Sequence, residues 1–431
     1  MRKDAIKETL RFYLPLLLES IVIGGITALF LFLLSLVTKV HGTFPLIALG
    51  LPLLALATAF CYRHWGRGSH RGNNLIIDSL HNASEVPPQM VPLALGFTVL
   101  SHLFGASVGR EGTAVQLGGA VSHWLAKRFH LGERQKRLLV LSGVSAGFGA
   151  VFGTPFAGAF FGMELSEIGS FRKDGMLGCF AASFSADAVA KWLGAAHQRH
   201  GVGAMPPVSV TLLLAVILAS LSFGLIGKGF SIAVHQVKGF YQKRIPRAGA
   251  RAVLSALLLL AAIVLFHPFQ YDGLSTWMID AGFQGEAAWY DPLAKFLLTV
   301  LSLGAGFQGG EATPLFDIGA ATGGLWARAF GLQSGLIAAL GYVCVFGSAA
   351  NIPLTTMALG IELFGFEPAP YFVLAALLSY YASGHNGIYA AQRIGTAKYP
   401  WLREHQGKTL EEIRPARASW TRWRAKERGC R

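Results

Sequence analysis

Gly109-Arg110-Glu111-Gly112-Thr113 stands before one apolar run, and Gly309-Gly310-Glu311-Ala312-Thr313-Pro314 stands before another. Each glutamate is followed eight residues later by a glycine, Gly119 or Gly319. Glu111 lies 44 residues before Pro155 and Glu311 lies 42 before Pro353, and Gly149 and Gly347 each precede those prolines by six. The copies close on kindred tetrapeptides, Gly162-Met163-Glu164-Leu165 and Gly360-Ile361-Glu362-Leu363. Residues 105–165 therefore recur as residues 305–363. A repeat built on interrupted apolar segments points to a transporter whose substrate site lies at the repeat interface. The pattern leaves parallel and inverted copies equally open.

Around this repeat the chain is made for lipid. Of its 431 residues 53% are hydrophobic and 14% charged, against about 25% charged in a soluble domain. A membrane helix needs about 20 mostly apolar residues, and about a dozen candidate runs, several short or broken by glycine, extend from the first at Arg11–Thr38 to Tyr381. The net charge of +14 does not mark a nucleic-acid binder, because the cations sit in separate clusters at segment ends. Arg2–Arg11, Lys127–Arg137, Lys238–Arg251 and Arg393–Arg431 fit the positive-inside rule, which places them in the cytoplasm. Both termini are then cytoplasmic and the spans even in number. The polar start, Met1–Thr9, and a long first apolar run without a small-residue cleavage site predict no signal peptide. Cys61, Cys179, Cys344 and Cys430 have no metal-ligand spacing and read as small hydrophobes. No cofactor or metal is expected.

Non-helical backbone inside a bilayer must be buried in protein or line a cavity. Three glycine-rich turns qualify: Gly72-Asn73-Asn74, Gly109-Arg110-Glu111-Gly112-Thr113, and Gly309 to Pro314. Each precedes a run that can be helical, so each offers free N–H groups and the positive end of a helix dipole, while glycine permits close approach. Pro314 suits the first turn of a helix. Three such turns predict an anion site. Glu111 and Glu311 lie where the anion should be. An ionised carboxylate there occupies the anion's place, and a protonated one can leave it, which couples anion passage to protons.

Glu164 and Glu362 fit a structural cap or interfacial contact as well as proton carriage, and the structural reading is preferred. Tyr389 ends the last apolar run with a phenol able to donate to an anion, or to anchor at the membrane interface. His102 and His385 read as packing or solvated residues. An intramembrane enzyme using Asp317 or His385 is disfavoured, since Asp317 has no paired aspartate and no Ser-His or His-Glu-x-x-His arrangement occurs. The stretch from Arg393, with Trp401, Trp420 and Trp423 among charges, reads as a cytoplasmic or interfacial extension.

In order and spacing, these turns resemble the CLC family of chloride channels and anion–proton exchangers from about Leu10 to Arg393. The resemblance implies an all-α polytopic fold of two inverted-topology repeats, about 45–195 and about 250–390, with tilted, broken or re-entrant helices. Residues 1–393 would form the transmembrane domain and residues 394–431 a basic cytoplasmic tail. It further implies a multi-pass protein of the cell inner (plasma) membrane and a homodimer with one pathway per subunit. Glu111 would be the external gate, with Gly109, Arg110 and Gly112 its motif. Gly310, Ala312 and Thr313 would lie at the second selectivity motif and Tyr389 at the pore tyrosine.

The departures from the chloride pattern resemble the fluoride-transporting branch. Gly72-Asn73-Asn74 replaces a serine-containing turn, Thr113 replaces proline after the gate, and Gly310-Glu311-Ala312-Thr313-Pro314 replaces Gly-x-Phe-x-Pro, with the glutamate and threonine of that branch at Glu311 and Thr313. Ala312 stands where that branch more often has valine. The internal proton-transfer glutamate of chloride exchangers falls at Leu165, which cannot carry a proton. That leaves a channel without coupling or a different internal route, for which Glu311 is the candidate as a second proton or anion-coupling group. The expected function is fluoride export in exchange for protons; the alternative is a chloride-selective or uncoupled channel of the same family.

Overall fold

The computed structural model describes residues 2–82, 84–265 and 269–413, and for residues 2–11 the backbone alone. Trp420, Trp423 and Cys430 lie outside the described residues. The first half of the chain carries α1 (Arg2–Thr43), α2 (Leu51–His64), α3 (Asn73–His81), α4 (Met90–Leu103), α5 (Glu111–Arg128), α6 (Glu133–Phe152), α7 (Pro155–Glu164) and α8 (Met176–Trp192). The second carries α9 (Val210–Arg244), α10 (Ala248–Leu265), α11 (Trp277–Gln284), α12 (Asp291–Ala305), α13 (Ala312–Ala329), α14 (Ser334–Ala350), α15 (Pro353–Phe364) and α16 (Ala369–Ala382). The halves match element by element, very long helix with very long helix and short with short. The fold is all-α, with two inverted-topology repeats.

Helix length follows from where each element must end. Among the described residues four segments are long and apolar enough to cross a membrane alone: Phe12–Thr43, Pro45–His64, Val210–Arg244 and Ala248–Leu265. The remaining apolar runs give shorter helices. A ten-residue helix such as α7 rises about 15 Å, half of the roughly 30 Å hydrocarbon layer. Such helices start and stop inside the protein, so their end groups need partners there.

Paired carboxylates supply them. Glu164, at the end of α7, accepts from the N–H groups of Leu354 (3.0 Å) and Thr355 (2.9 Å) and from the Thr355 hydroxyl (2.8 Å), at the start of α15. Glu362, on α15, accepts from the N–H groups of Phe156 (3.1 Å) and Ala157 (2.8 Å), at the start of α7. Each repeat thus caps a helix of the other, which answers the structural reading of these two residues. Phe148 and Phe161 of one repeat stack at 4.1 Å and meet Phe346 of the other at 6.3 and 6.5 Å. This aromatic layer fills the space between the halves.

The register of the repeat differs by one from that suggested by aligning the two glutamates. Gly118, rather than Gly119, packs against the backbone of Gly143, and its equivalent Gly319 packs against Gly341. Gly119 instead faces Ile76. Gly109 and Gly310 exchange both backbone hydrogen bonds, at 2.6 and 2.7 Å, so an offset of 201 relates the halves here. Glu111 is the first residue of α5, whereas Glu311 occupies the position just before the start of α13. The two glutamates are therefore not equivalent; Glu311 corresponds to Arg110.

Beyond α16 the chain returns to the body. Arg393–Ile394 pairs in parallel with Glu167–Ile168. The Lys398 amine donates to Asn351 Oδ1 (2.6 Å), the Tyr380 carbonyl (2.7 Å) and Ser383 Oγ (2.9 Å), and Leu410 is buried.

Removing the two caps should lower stability unequally. Glu164→Ala strips a buried carboxylate from three donors, and Glu362→Ala strips a half-buried one from two. Loss of a helix cap costs about 1 kcal/mol, and more where donors stay buried. Thermal unfolding in detergent should show both variants destabilised, with Glu164→Ala the worse; an unchanged midpoint for both would contradict the capping assignment.

Candidate functional site

The mutual hydrogen bonds of Gly109 and Gly310 bring the starts of α5 and α13 to one point. Neither residue has space for a side chain: a Cβ on Gly109 would stand 3.0 Å from Pro314 Cδ and 3.1 Å from the Gly310 carbonyl. The approach to α5 is held by Ser107, whose N–H donates to Ser302 Oγ (3.0 Å) and whose hydroxyl meets Thr299 Oγ1 (2.9 Å), both on α12. The site is therefore braced by backbone and small hydroxyls, with no side chain long enough to yield.

Glu111 crosses this junction. Its Oε2 accepts from the Thr313 N–H at 3.1 Å and from the Arg110 N–H at 3.1 Å, and its Oε1 accepts from the Thr313 hydroxyl. Only 2% of Glu111 is exposed. The Thr313 N–H is one of the unpaired donors at the start of α13, where the helix dipole favours negative charge. A carboxylate oxygen here stands in for an anion on a helix terminus. Arg110 Nε lies 3.6 Å from Oε1, so the contact with the opposite helix is tighter than the ion pair with the neighbouring residue.

The third turn arrives from α3. Gly72 has φ +55°, a left-handed conformation that favours glycine, and sits beside the Gln116 amide. Asn73 begins α3, is buried, and its Oδ1 has no hydrogen-bond partner among the described residues. A Cβ on Gly112 would stand 3.0 Å from Asn73 Nδ2 and 3.5 Å from Glu311 Oε2. Asn73, Gly112, Gly310 and Glu311 therefore meet on one side of the junction, with Glu111 and Thr313 on it. Ala312, buried with no polar side-chain atom, contributes backbone at the first turn of α13. The Tyr389 phenol is buried within electrostatic reach of both Glu111 and Glu311.

One expected site residue faces elsewhere, and another, Arg110, is shared with a neighbouring cavity. Asn74 Oδ1 accepts from the Ala391 N–H at 2.9 Å, so Asn74 fastens the segment that carries Tyr389 to α3. Arg110 lines an outward cavity of about 720 Å³ together with Lys39 and Ser35 of α1. His102 donates from Nδ1 to the Thr98 carbonyl (2.8 Å) and His385 accepts from the Lys398 N–H (3.0 Å), both packing contacts. Leu165 is fully buried.

Two polar contacts near the site were not anticipated. Lys295, fully buried on α12, donates to the Gly273 carbonyl at 2.8 Å and lies 3.7 Å from Asp317, one turn beyond Thr313 on α13. A lone lysine within the apolar run after Asp291 was the sequence signal for it. Asp317 thus faces a cation rather than a catalytic partner. Thr113, in the place of the expected proline, has its hydroxyl 2.7 Å from that of Thr98, a contact that only folding could reveal.

The voltage gated chloride channel family model matches residues 53–384. A "Chloride/fluoride channel protein" from Pseudomonas syringae pv. tomato is 42% identical over 404 residues, covering 92% of this chain and 88% of that protein. The "H(+)/Cl(-) exchange transporter ClcA" of Vibrio cholerae is 24% identical over 277 residues, 60% of this chain and 58% of that protein. Among solved structures, a CLC-type fluoride/proton antiporter superposes with a TM-score of 0.86 at 33% identity, covering 89% of this chain and 98% of that one. A slow cyanobacterial Cl-/H+ antiporter superposes at 0.76 with 18% identity, covering 94% and 96%, a likeness of fold.

If the Glu111 carboxylate stands in for an anion, its removal should admit one. Glu111→Ala should show an anion within about 3 Å of the Thr313 nitrogen in a crystal structure, with the Gly109–Gly310 pairing intact. Collapse of the two helix starts onto each other, with no anion between them, would contradict the assignment.

Proposed function

The chain belongs to the voltage-gated chloride channel family, and from that premise we propose that it is an antiporter exporting fluoride in exchange for protons. The observation that carries this reading is the Glu111 carboxylate on the Thr313 amide and hydroxyl at the start of α13. Ionised, Glu111 holds the place of the anion. Protonated, it loses the charge that the helix dipole attracts and yields that place, so anion and proton alternate. The 33% identity and close superposition with a fluoride/proton antiporter support fluoride as the anion. So does the chemistry of the site. Fluoride is small and strongly hydrated, and the Asn73 amide, the Thr313 hydroxyl and the Tyr389 phenol are donors able to replace its water.

Glu311 is the second coupling group in this reading. Leu165 cannot titrate and the adjacent Glu164 is committed to capping α15. Glu311 lies between Asn73 and the gate, is only half-buried, and shares the site with Tyr389. Gly72, Gly109, Arg110, Gly112, Gly310 and Ala312 shape the anion site through backbone and field, and Asn74 acts by holding the Tyr389 segment.

The subunit works as a homodimer in the inner (plasma) membrane with both termini cytoplasmic. Residues 1–393 form the transport unit, and residues 394–413 pack against it on the side read as cytoplasmic. The dimer is favoured by Glu362, a carboxylate on the apolar helix α15 that one subunit leaves half-buried. Lipid is a poor neighbour for it, whereas a second copy placed against α7, α8, α15 and α16 would cover it.

The test is anion efflux from liposomes holding purified protein, with fluoride, chloride and pH followed together. Wild type should release fluoride in preference to chloride while protons move the opposite way. Glu111→Gln should reduce proton movement to that of protein-free liposomes, because an amide cannot titrate. Equal chloride efflux, or fluoride efflux with no proton movement, would establish the channel alternative instead.

A further inference from the structure

The basic ends of α2, α9 and α10 enclose a cavity of about 520 Å³ lined by Arg63, Arg67, His70, Lys238 and Arg251, with no acidic residue among its lining. Some basic residues elsewhere pair with carboxylates, Arg71 with Asp78, Lys127 with Glu85 and Lys136 with Glu133. Among the described residues Arg63, Arg67, Lys238 and Arg251 pair with none. Arg251 makes one contact, to the Ile245 carbonyl at 3.3 Å. These cations share one cavity whose own wall holds no carboxylate, and Lys238 also lies within electrostatic reach of Glu311 beyond it. Burial, together with Lys238 and Arg71, holds the His70 imidazole below its usual range.

The backbone is also set for this arrangement. Arg67 has φ +43°, a conformation rare for any residue but glycine, and Gly68 follows at +92°. Strain of this kind persists where the surroundings require it and collects at binding sites. The start of α10, at Ala248, opens on the same cavity and adds the positive end of a helix dipole. The floor is apolar, formed by Ala55, Ala59 and Ala252. The outer faces of the same two helices expose Leu56, Phe60, Leu257 and Leu258.

We propose that this cavity is a binding site for a phosphate-bearing anion. Guanidinium groups match phosphate oxygens bidentately, and a basic pocket between helices at the membrane surface suits an anionic headgroup whose acyl chains lie along the apolar faces of α2 and α10. A lipid phosphodiester and free phosphate share this chemistry. Gln308 and His70 line the cavity beside the Gly309-Gly310 and Gly72-Asn73 turns, so an occupant places negative charge next to one mouth of the central site. The binding itself does not rest on fluoride transport, and its test reads binding alone.

Delipidated full-length protein would be titrated with phosphatidylglycerol, phosphatidylcholine and inorganic phosphate, and occupancy followed by native mass spectrometry and thermal shift. Phosphatidylglycerol should be retained over phosphatidylcholine by at least roughly ten-fold. Arg63→Gln with Arg67→Gln, both exposed side chains, should abolish that preference. The control Arg134→Gln with Arg137→Gln, on another basic cluster, should leave it intact. Competition by millimolar inorganic phosphate would assign the site to soluble phosphates, and its absence to lipid; either supports the shared chemistry. Equal retention of the two lipids with no phosphate-induced shift would overturn the proposal. So would equal losses in the two double variants.

Discussion

Gly109 and Gly310 hydrogen-bond each other's backbone at the centre of the protein, and two helices begin within two residues of that contact. Free N–H groups from both helices then point into a small, largely buried volume, and such groups are costly unless something negative or hydrogen-bonding meets them. In this structure the Glu111 carboxylate does so for Thr313. Nearly every other feature of the site follows from the requirement. Glycines allow the approach, the Ser107 contacts hold the loop, and Asn73 and Thr313 add polar groups at the edge.

The same constraint recurs wherever a helix ends short of the membrane surface. The starts of α7 and α15 are satisfied by Glu362 and Glu164, each from the opposite repeat. The caps make the two halves depend on each other, as the stacked Phe148, Phe161 and Phe346 do through packing. A carboxylate at a helix start therefore plays two parts in one fold. Glu164, three donors deep and away from the junction, is a fixed strut. Glu111 uses the same kind of contact at the point where an anion would pass, where its exchange for that anion becomes a mechanism.

Much of this was legible in the chain. Composition and the matching motifs around Glu111 and Glu311 disclosed a membrane protein of two similar halves, because glycine, proline and carboxylate are rarely placed alike in two apolar stretches without a shared geometry. Three turns that precede helices stood out in the chain, and in the fold they meet at one junction. Other features were hidden. The glutamates align in sequence, yet in space Glu311 corresponds to Arg110, since the register is set by the Gly109–Gly310 pairing and by Gly118 against Gly143. Asn74 looked like an anion ligand but binds the Ala391 amide, a contact across 317 residues. Lys295 stood in plain view in an apolar run, but its closeness to Asp317 required α12 and α13 to be packed.

Sequence alone determined the solvent, the repeat and the chemistry of the residues available to the site, because hydropathy and local backbone preference act over a few neighbours at a time. Tertiary structure alone decided which of those residues face one another. Whether a carboxylate becomes a gate, a cap or half of an ion pair depends on which helix start or cation lies within about 3 Å. That distance is set by the packing of segments remote in the chain.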